Sequence, residues 1–134
     1  MDRADFDRWI AAYERAWRTP GTDALAQLFT DSATYSTAPF ERPHEGLEAI
    51  SEMWEAERDR PDESFEMSWK LVAVEGDRGV ARVEVQYRDK EPPQQYRDLW
   101  VIHLAPDGRC EAFEEWPFWP PGSVGGHARG PAQG

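Results

Sequence analysis

Tyr96–Trp116 reads YRDLWVIHLAPDGRCEAFEEW. Two alternating runs flank Ala105–Gly108, whose Pro-Asp-Gly is a turn signal. In the first run Tyr96, Asp98, Trp100 and Ile102 share a face. In the second, continued to Pro120, Phe113, Glu115 and Pro117 share one face, and Ala112, Glu114 and Trp116 share the other. The expectation is an antiparallel hairpin of Gln95–Leu104 and Arg109–Trp119. Its second arm sets Glu114 and Glu115 among Phe113, Trp116, Phe118 and Trp119. Carboxylates beside so much apolar surface are solvated, paired or functional.

Upstream, Val80–Arg88 and Ser64–Val74 are expected as two more strands joined at Glu75-Gly76-Asp77. Phe65, Met67, Trp69 and Leu71 alternate with Glu66, Ser68 and Lys70, the pattern of a half-buried antiparallel strand. A loop at 89–94 carries Pro92-Pro93. The amino-terminal part has helical spacing instead. Phe6, Trp9, Ile10, Tyr13 and Trp17 make one apolar face of a helix over Asp5–Arg18. Thr22 or Asp23 caps a short helix with Leu25, Leu28 and Phe29 inward. A strand at Ala33–Thr37 and a loop at 38–46 follow. A third helix over Leu47–Arg58 carries Leu47, Ile50 and Trp54 and stops at Pro61. Helices first and a four-strand meander after predict an α+β domain, its helices packed on one face of a bent antiparallel sheet. The domain is expected over residues 1–120, with 121–134 a disordered tail.

The chain has 134 residues, enough for one core. Its single cysteine, Cys110, excludes an internal disulfide, and without a basic neighbour beyond Arg109 it reads as structural. A net charge of −11, from 15 basic and 26 acidic residues, argues against a nucleic-acid partner. No apolar run approaches membrane length, and no basic start precedes an apolar stretch, so a cytoplasmic protein is expected. His44, His103 and His127 have no metal-site spacing, and no glycine-rich phosphate loop is present. Neither a metal nor a cofactor is expected. Seven tryptophans are many for this length and suit a core, an interface or a pocket for a flat ligand.

The AYERAW helix (12–17), LAQLFTDSATY (25–35), the P-x-x-G-LEAI helix start (43–50) and the 96–116 meander together resemble the nuclear transport factor 2-like superfamily, and within it the SnoaL-like proteins. The resemblance spans about residues 5–119. It implies a cone, in which a curled sheet and helices enclose an apolar pocket, and often a homodimer. Members include isomerases, dehydratases, cyclases, epoxide hydrolases and non-catalytic domains, so the fold leaves enzyme and binding protein both open.

The resemblance supplies two templates. Ketosteroid isomerase uses a carboxylate base with a Tyr and a protonated Asp. Aligned on LFTDSAT, Tyr13 matches the Tyr, but Thr37 stands at the base and Trp100 at the acid, which argues against that activity. Limonene epoxide hydrolase holds an Arg between two carboxylates. Arg82-Val83-Glu84 is similar to its Arg-x-Asp, Glu115 lies near its other Asp, Tyr35 matches its water-seating Tyr, and Thr37 replaces its Asn. The resemblance therefore implies Glu115 as base, Glu84 as acid, Arg82 as organiser and Tyr35 as donor.

Periodicity offers a rival reading. Ala81, Val83, Val85 and Tyr87 occupy the opposite face from Arg82 and Glu84, and an apolar face normally points to the core. Arg82 and Glu84 would then be a surface pair. Asp98 shares its face with Trp100 and is a further acid–base or Arg-pairing candidate. Tyr13, Trp17, Thr37, Trp54, Trp100 and Phe113 are the expected ligand wall. The functional expectation is a pocket for an apolar polyketide-like, isoprenoid-like or aromatic ligand, with cofactor-free acid–base chemistry, epoxide hydrolysis being the best-matched form. The alternative is a non-catalytic binding or dimerisation domain.

Overall fold

A computed structural model describes residues 1–57, 64–88 and 94–121. The expected stop at Pro61, most of the 89–94 loop and the tail after Pro121 lie outside the described residues. Helix α1 spans Arg3–Arg18. Asp2 caps it: its carboxylate accepts from the Asp5 amide, and the Asp5 carboxylate accepts from the Asp2 amide, the reciprocal pair of a capping box. Its buried stripe is Phe6, Trp9, Ile10, Tyr13 and Ala16. Helix α2 is short, Leu25–Leu28. Strand β1, Phe29–Ser36, starts at once, so Phe29 opens a strand rather than closing a helix. The 38–46 loop holds a two-residue strand β2, His44–Glu45, paired with β1. Helix α3 is Leu47–Glu57.

The meander follows as β3 Glu66–Glu75, β4 Arg78–Tyr87, β5 Gln94–Leu104 and β6 Cys110–Phe118. The sheet order is β2-β1-β6-β5-β4-β3. Among the described residues only the β1–β6 pairing is parallel, with Tyr35 opposite Phe113; the other four pairings are antiparallel. Gly76, at φ 62°, makes the β3–β4 turn, a conformation that costs glycine nothing. Register shifts at Phe29/Thr34, Leu71/Ala73 and His103/Leu104 bend the sheet so that it curls over the helices. The fold is an α+β cone.

Odd-numbered residues of β3 as far as Leu71 and of β4, and even-numbered residues of β5, face the helices; past the register shift in β3 it is Val74 that packs inward. Ala81, Val83, Val85, Tyr87, Trp100 and Ile102 are all buried. Helix α1 lies so close that a Cβ on Gly79 would sit 2.6 Å from the Phe6 ring. Burial of each large core side chain contributes about 1.5–3 kcal/mol, so these inward sets hold the cone together.

Candidate functional site

The polar groups inside the cone come from four elements. Tyr13 stands on the buried stripe of α1, and Tyr35 on β1. Asp98 and Trp100 alternate inward on β5, and Phe113 and Glu115 on β6. The register sets Trp100 opposite Glu115 and Asp98 opposite Pro117, so the two carboxylates are diagonal neighbours on adjoining strands.

The hydroxyl oxygens of Tyr13 and Tyr35 are 2.7 Å apart, and Tyr35 Oη donates to Glu115 Oε2 at 3.1 Å. Tyr35 has one hydroxyl proton and gives it to Glu115, so Tyr13 donates to Tyr35. The chain of donors runs Tyr13 to Tyr35 to Glu115. Trp100 Nε1–H donates to Asp98 Oδ2 at 3.0 Å, and Asp98 is only 3% exposed. Burial, and then the charge of Glu115, holds the phenols of Tyr13 and Tyr35 well above the ordinary tyrosine range. Tyr96 is raised in the same way, first by burial and then by Tyr87, Asp98 and Glu115. These three tyrosines gather near the two carboxylates and stay protonated at neutral pH.

The deep half of the cone is packed with rings. Tyr13 lies 4.6 Å from Trp100, 5.0 Å from Trp54 and 5.7 Å from Phe113, centroid to centroid. Phe113 lies 4.6 Å from Tyr35 and 5.0 Å from Trp100. Trp54 is fully buried, and its indole N–H has no hydrogen-bond partner among the described residues. Half-buried Trp17 meets Trp54 edge-on at 4.8 Å rather than reaching Tyr13. Thr37 is buried just past the end of β1. At this depth the expected ligand wall fills its own space.

The shallow half keeps Phe65 and Tyr87 buried and leaves its outer groups partly exposed. Phe65 and Tyr87 pair at 5.9 Å, Tyr87 and Tyr96 stack at 6.5 Å, and Tyr96 and Trp119 meet at 4.8 Å. Tyr96, Glu115, Pro117 and Trp119 are each partly exposed. Sequence reasoning did not single out Phe65, Tyr87, Tyr96 or Trp119 for the site. The available signal was parity, since Tyr96 shares a face with Asp98, and Tyr87 with Val83.

The implied hydrolase trio is not assembled. Arg82 and Glu84 are exposed on the outer face, away from Glu115. Four inward apolar side chains on β4 outweigh two charges that keep their hydration outside. Glu84 lies 3.8 Å from Arg97, in a pair more than half exposed on both sides. The rival periodic reading of that strand holds.

Other groups stand apart from the site. Burial pushes the Cys110 thiol up to about 12, and its Sγ–H donates to Ala112 O. His103 lies outside, 3.0 Å from Asp77 and 3.4 Å from Glu111. Among the described residues no group of three His, Cys, Asp or Glu side chains is placed to hold a metal, and no helix is long and apolar enough to cross a membrane. A groove of about 280 Å³ lies between the end of α1 and α2, with Thr19, Asp23, Leu25 and Trp54 on its walls. It contains none of the hydrogen-bonded tyrosines or carboxylates.

A curled sheet closing over α1, with buried phenols turned to a carboxylate, defines a cone-fold domain with a polar site in an aromatic interior. The family pattern of the SnoaL-like domain matches residues 8–113, and the chain belongs to that family. Solved structures share the fold. A protein described as a SnoaL-like polyketide cyclase from Jannaschia sp. CCS1 is 18% identical, with a TM-score of 0.63 over 83% of this chain and 85% of its own. A steroid delta-isomerase from Pseudomonas aeruginosa is 16% identical, with a TM-score of 0.60 over 86% of this chain and 80% of its own. No curated protein matches the sequence.

Proposed function

We propose that this chain binds a small apolar, aromatic ligand in the shallow half of its cone and acts on it by acid–base chemistry without a cofactor. Polyketide-like and isoprenoid-like skeletons are the first candidates. The observation that carries the reading is the Tyr13–Tyr35–Glu115 chain. It fixes one partly exposed carboxylate among aromatic side chains and diagonal to Asp98. A carboxylate so oriented is a general base for a carbon-bound proton, such as one next to a carbonyl. Tyr35 orients it, and Tyr13 orients Tyr35. Isomerisation or cyclisation suits this arrangement better than epoxide hydrolysis, whose Arg82 and Glu84 lie on the other side of the sheet.

The test is deuterium uptake from heavy water at the α-carbon of a panel of aromatic and polycyclic ketones, followed by mass spectrometry. The wild type should speed uptake for at least one of them. Glu115→Gln should slow it by about 10²–10⁴-fold, the usual contribution of a general base. Uptake unaffected by that change would retire Glu115 as the base.

One observation favours a second reading, a dimerisation domain. The outer sheet face carries Trp116 at 40% and Phe118 at 59% exposure, opposite Leu99 and Arg97 on β5. Exposed aromatics in a row are a common mark of an interface. Sedimentation should show a dimer that Trp116→Glu with Phe118→Glu converts to monomer; a wild-type monomer at high concentration removes this reading.

A further inference from the structure

We propose that the groove between the end of α1 and α2 is a second small-molecule site. Its ligand is compact and neutral, with a carbonyl on an apolar ring and a hydroxyl at the far end. The site is separate from the tyrosine–carboxylate chain and does not depend on the reading above.

The first observation is the cavity. It holds about 280 Å³, near the lower end of the roughly 300–1,000 Å³ of small-molecule sites. Its floor is buried and apolar, made by Ala16, Leu25 and the Trp54 ring. Thr22 is half-buried on the wall, and Asp23 and Gln27 are exposed at the rim. Trp54 also meets Tyr13 at 5.0 Å between ring centres, so its ring is the partition between the groove and the cone interior.

The second observation is the Trp54 indole. Trp9, Trp69, Trp100 and Trp116 each donate their ring N–H to an oxygen of the chain. Trp54 is fully buried, and its N–H has no acceptor among the described residues. Buried donors are almost always paired, because an unpaired one has lost its hydration for nothing. Trp119 shares the lack, but it is half-buried and does not line the groove.

The surroundings select the acceptor. A water at the floor would meet one donor beside the side chains of Ala16 and Leu25, short of the about two to four partners a buried water needs. An anion would lose its hydration against one neutral donor. It would also be repelled by Asp23 at the rim and by a chain of net charge −11. A carbonyl oxygen on an apolar ring is satisfied by the single N–H, while its ring covers Ala16 and Leu25. Because Trp54 is closed to solvent, that oxygen reaches the N–H only as the half-buried Thr22 side chain gives way. The outer end of the ligand then meets Thr22, Asp23 and Gln27, whose side chains make no hydrogen bond among the described residues. A hydroxyl there donates to the Asp23 carboxylate.

The experiment titrates the nitrogen-15-labelled protein with 4′-hydroxyacetophenone, 4-ethylphenol and 4-hydroxybenzoate, three probes of one shape, at about pH 6.5, where their phenols are protonated. The Trp54 indole signal is the one that Trp54→Phe removes; where that variant does not fold, nuclear Overhauser contacts with the Leu25 methyl groups assign it. The ketone should move this signal downfield in a saturable way, as an accepted hydrogen bond does. It should bind about tenfold tighter than the ethylphenol, which lacks the carbonyl, and the benzoate should bind weakest. Thr22→Phe, which fills the groove from its half-buried wall, should weaken ketone binding at least about tenfold. If the Trp54 signal does not move, or if the ethylphenol or the benzoate binds as tightly as the ketone, the proposal is overturned. Ketone binding that Thr22→Phe leaves unchanged lies on the cone side of Trp54 and overturns it as well.

Discussion

The two faces of strands β4, β5 and β6 are built from alternate residues of the same chain and behave as different materials. Inward lie Val83, Val85, Trp100 and Phe113, with Asp98 and Glu115 held by ring N–H and O–H groups. Outward lie Arg82, Glu84, Arg97, Glu114 and Trp116, with Glu84 and Arg97 at 3.8 Å in open solvent. A carboxylate therefore has no fixed worth in this protein. On the inner face it meets low dielectric and oriented donors, and its charge reaches three tyrosines. On the outer face water screens it within a few ångströms.

The contrast is sharpest for Phe113. It is 1% exposed and touches Trp9, Tyr13, Tyr35 and Trp100. Phe113→Ala should cost about 3–5 kcal/mol in a denaturant titration, the transfer loss plus the cavity. A loss below about 1 kcal/mol would mean that the inner rings repack freely and are not a fixed wall. Tyr35→Phe keeps the ring and removes both hydrogen bonds, leaving Tyr13 Oη and Glu115 short of one contact each. It should cost about 1–3 kcal/mol in the same titration, since buried polar groups lose a partner.

Alkali offers a test without mutation. Cys110 has a folded value of about 12 against an ordinary 9.0, and Tyr13, Tyr35 and Tyr96 lie well above 10.0. Raised values mean that the folded state holds protons the unfolded state has released. Their stabilising contribution is complete below pH 9 and declines as the pH climbs from 9 toward 12. Thermal unfolding should show a falling midpoint over that window, and a thiol reagent at pH 8 should label Cys110 only after unfolding. Labelling of the folded protein at pH 8 would contradict its burial.

The smallest effect belongs to the outer face. Glu84→Gln should change stability by less than about 0.5 kcal/mol, as exposed pairs usually do, and should leave ketone exchange at its wild-type rate. A large loss of exchange would bring back the trio that its exposure now excludes.

Much of this was legible from residue order. Alternation gave the four meander strands to within two residues at every boundary, and it put Asp98 with Trp100 and Phe113 with Glu115 on shared faces, which the resemblance turned inward. Less was legible where short elements meet, as at Phe29, where a four-residue helix passes straight into a strand because the partner strand at Cys110 pairs with it. The mismatch at Arg82 and Glu84 arose because resemblance in spacing was set against periodicity. Periodicity prevailed, since hydrating two charges is favourable only on the solvent side.

The sequence by itself determined an α+β domain with its helices on one face of the sheet, because 3.6-residue and 2-residue periods leave little choice about which side chains are buried; the cone was implied by the resemblance. Only the tertiary structure decided the site. Tyr13, Tyr35, Asp98 and Glu115 are as much as 102 positions apart along the chain (115 − 13). Whether such groups meet depends on the parallel β1–β6 pairing and on how far the sheet curls over α1. Those are properties of packed surfaces and not of any local stretch.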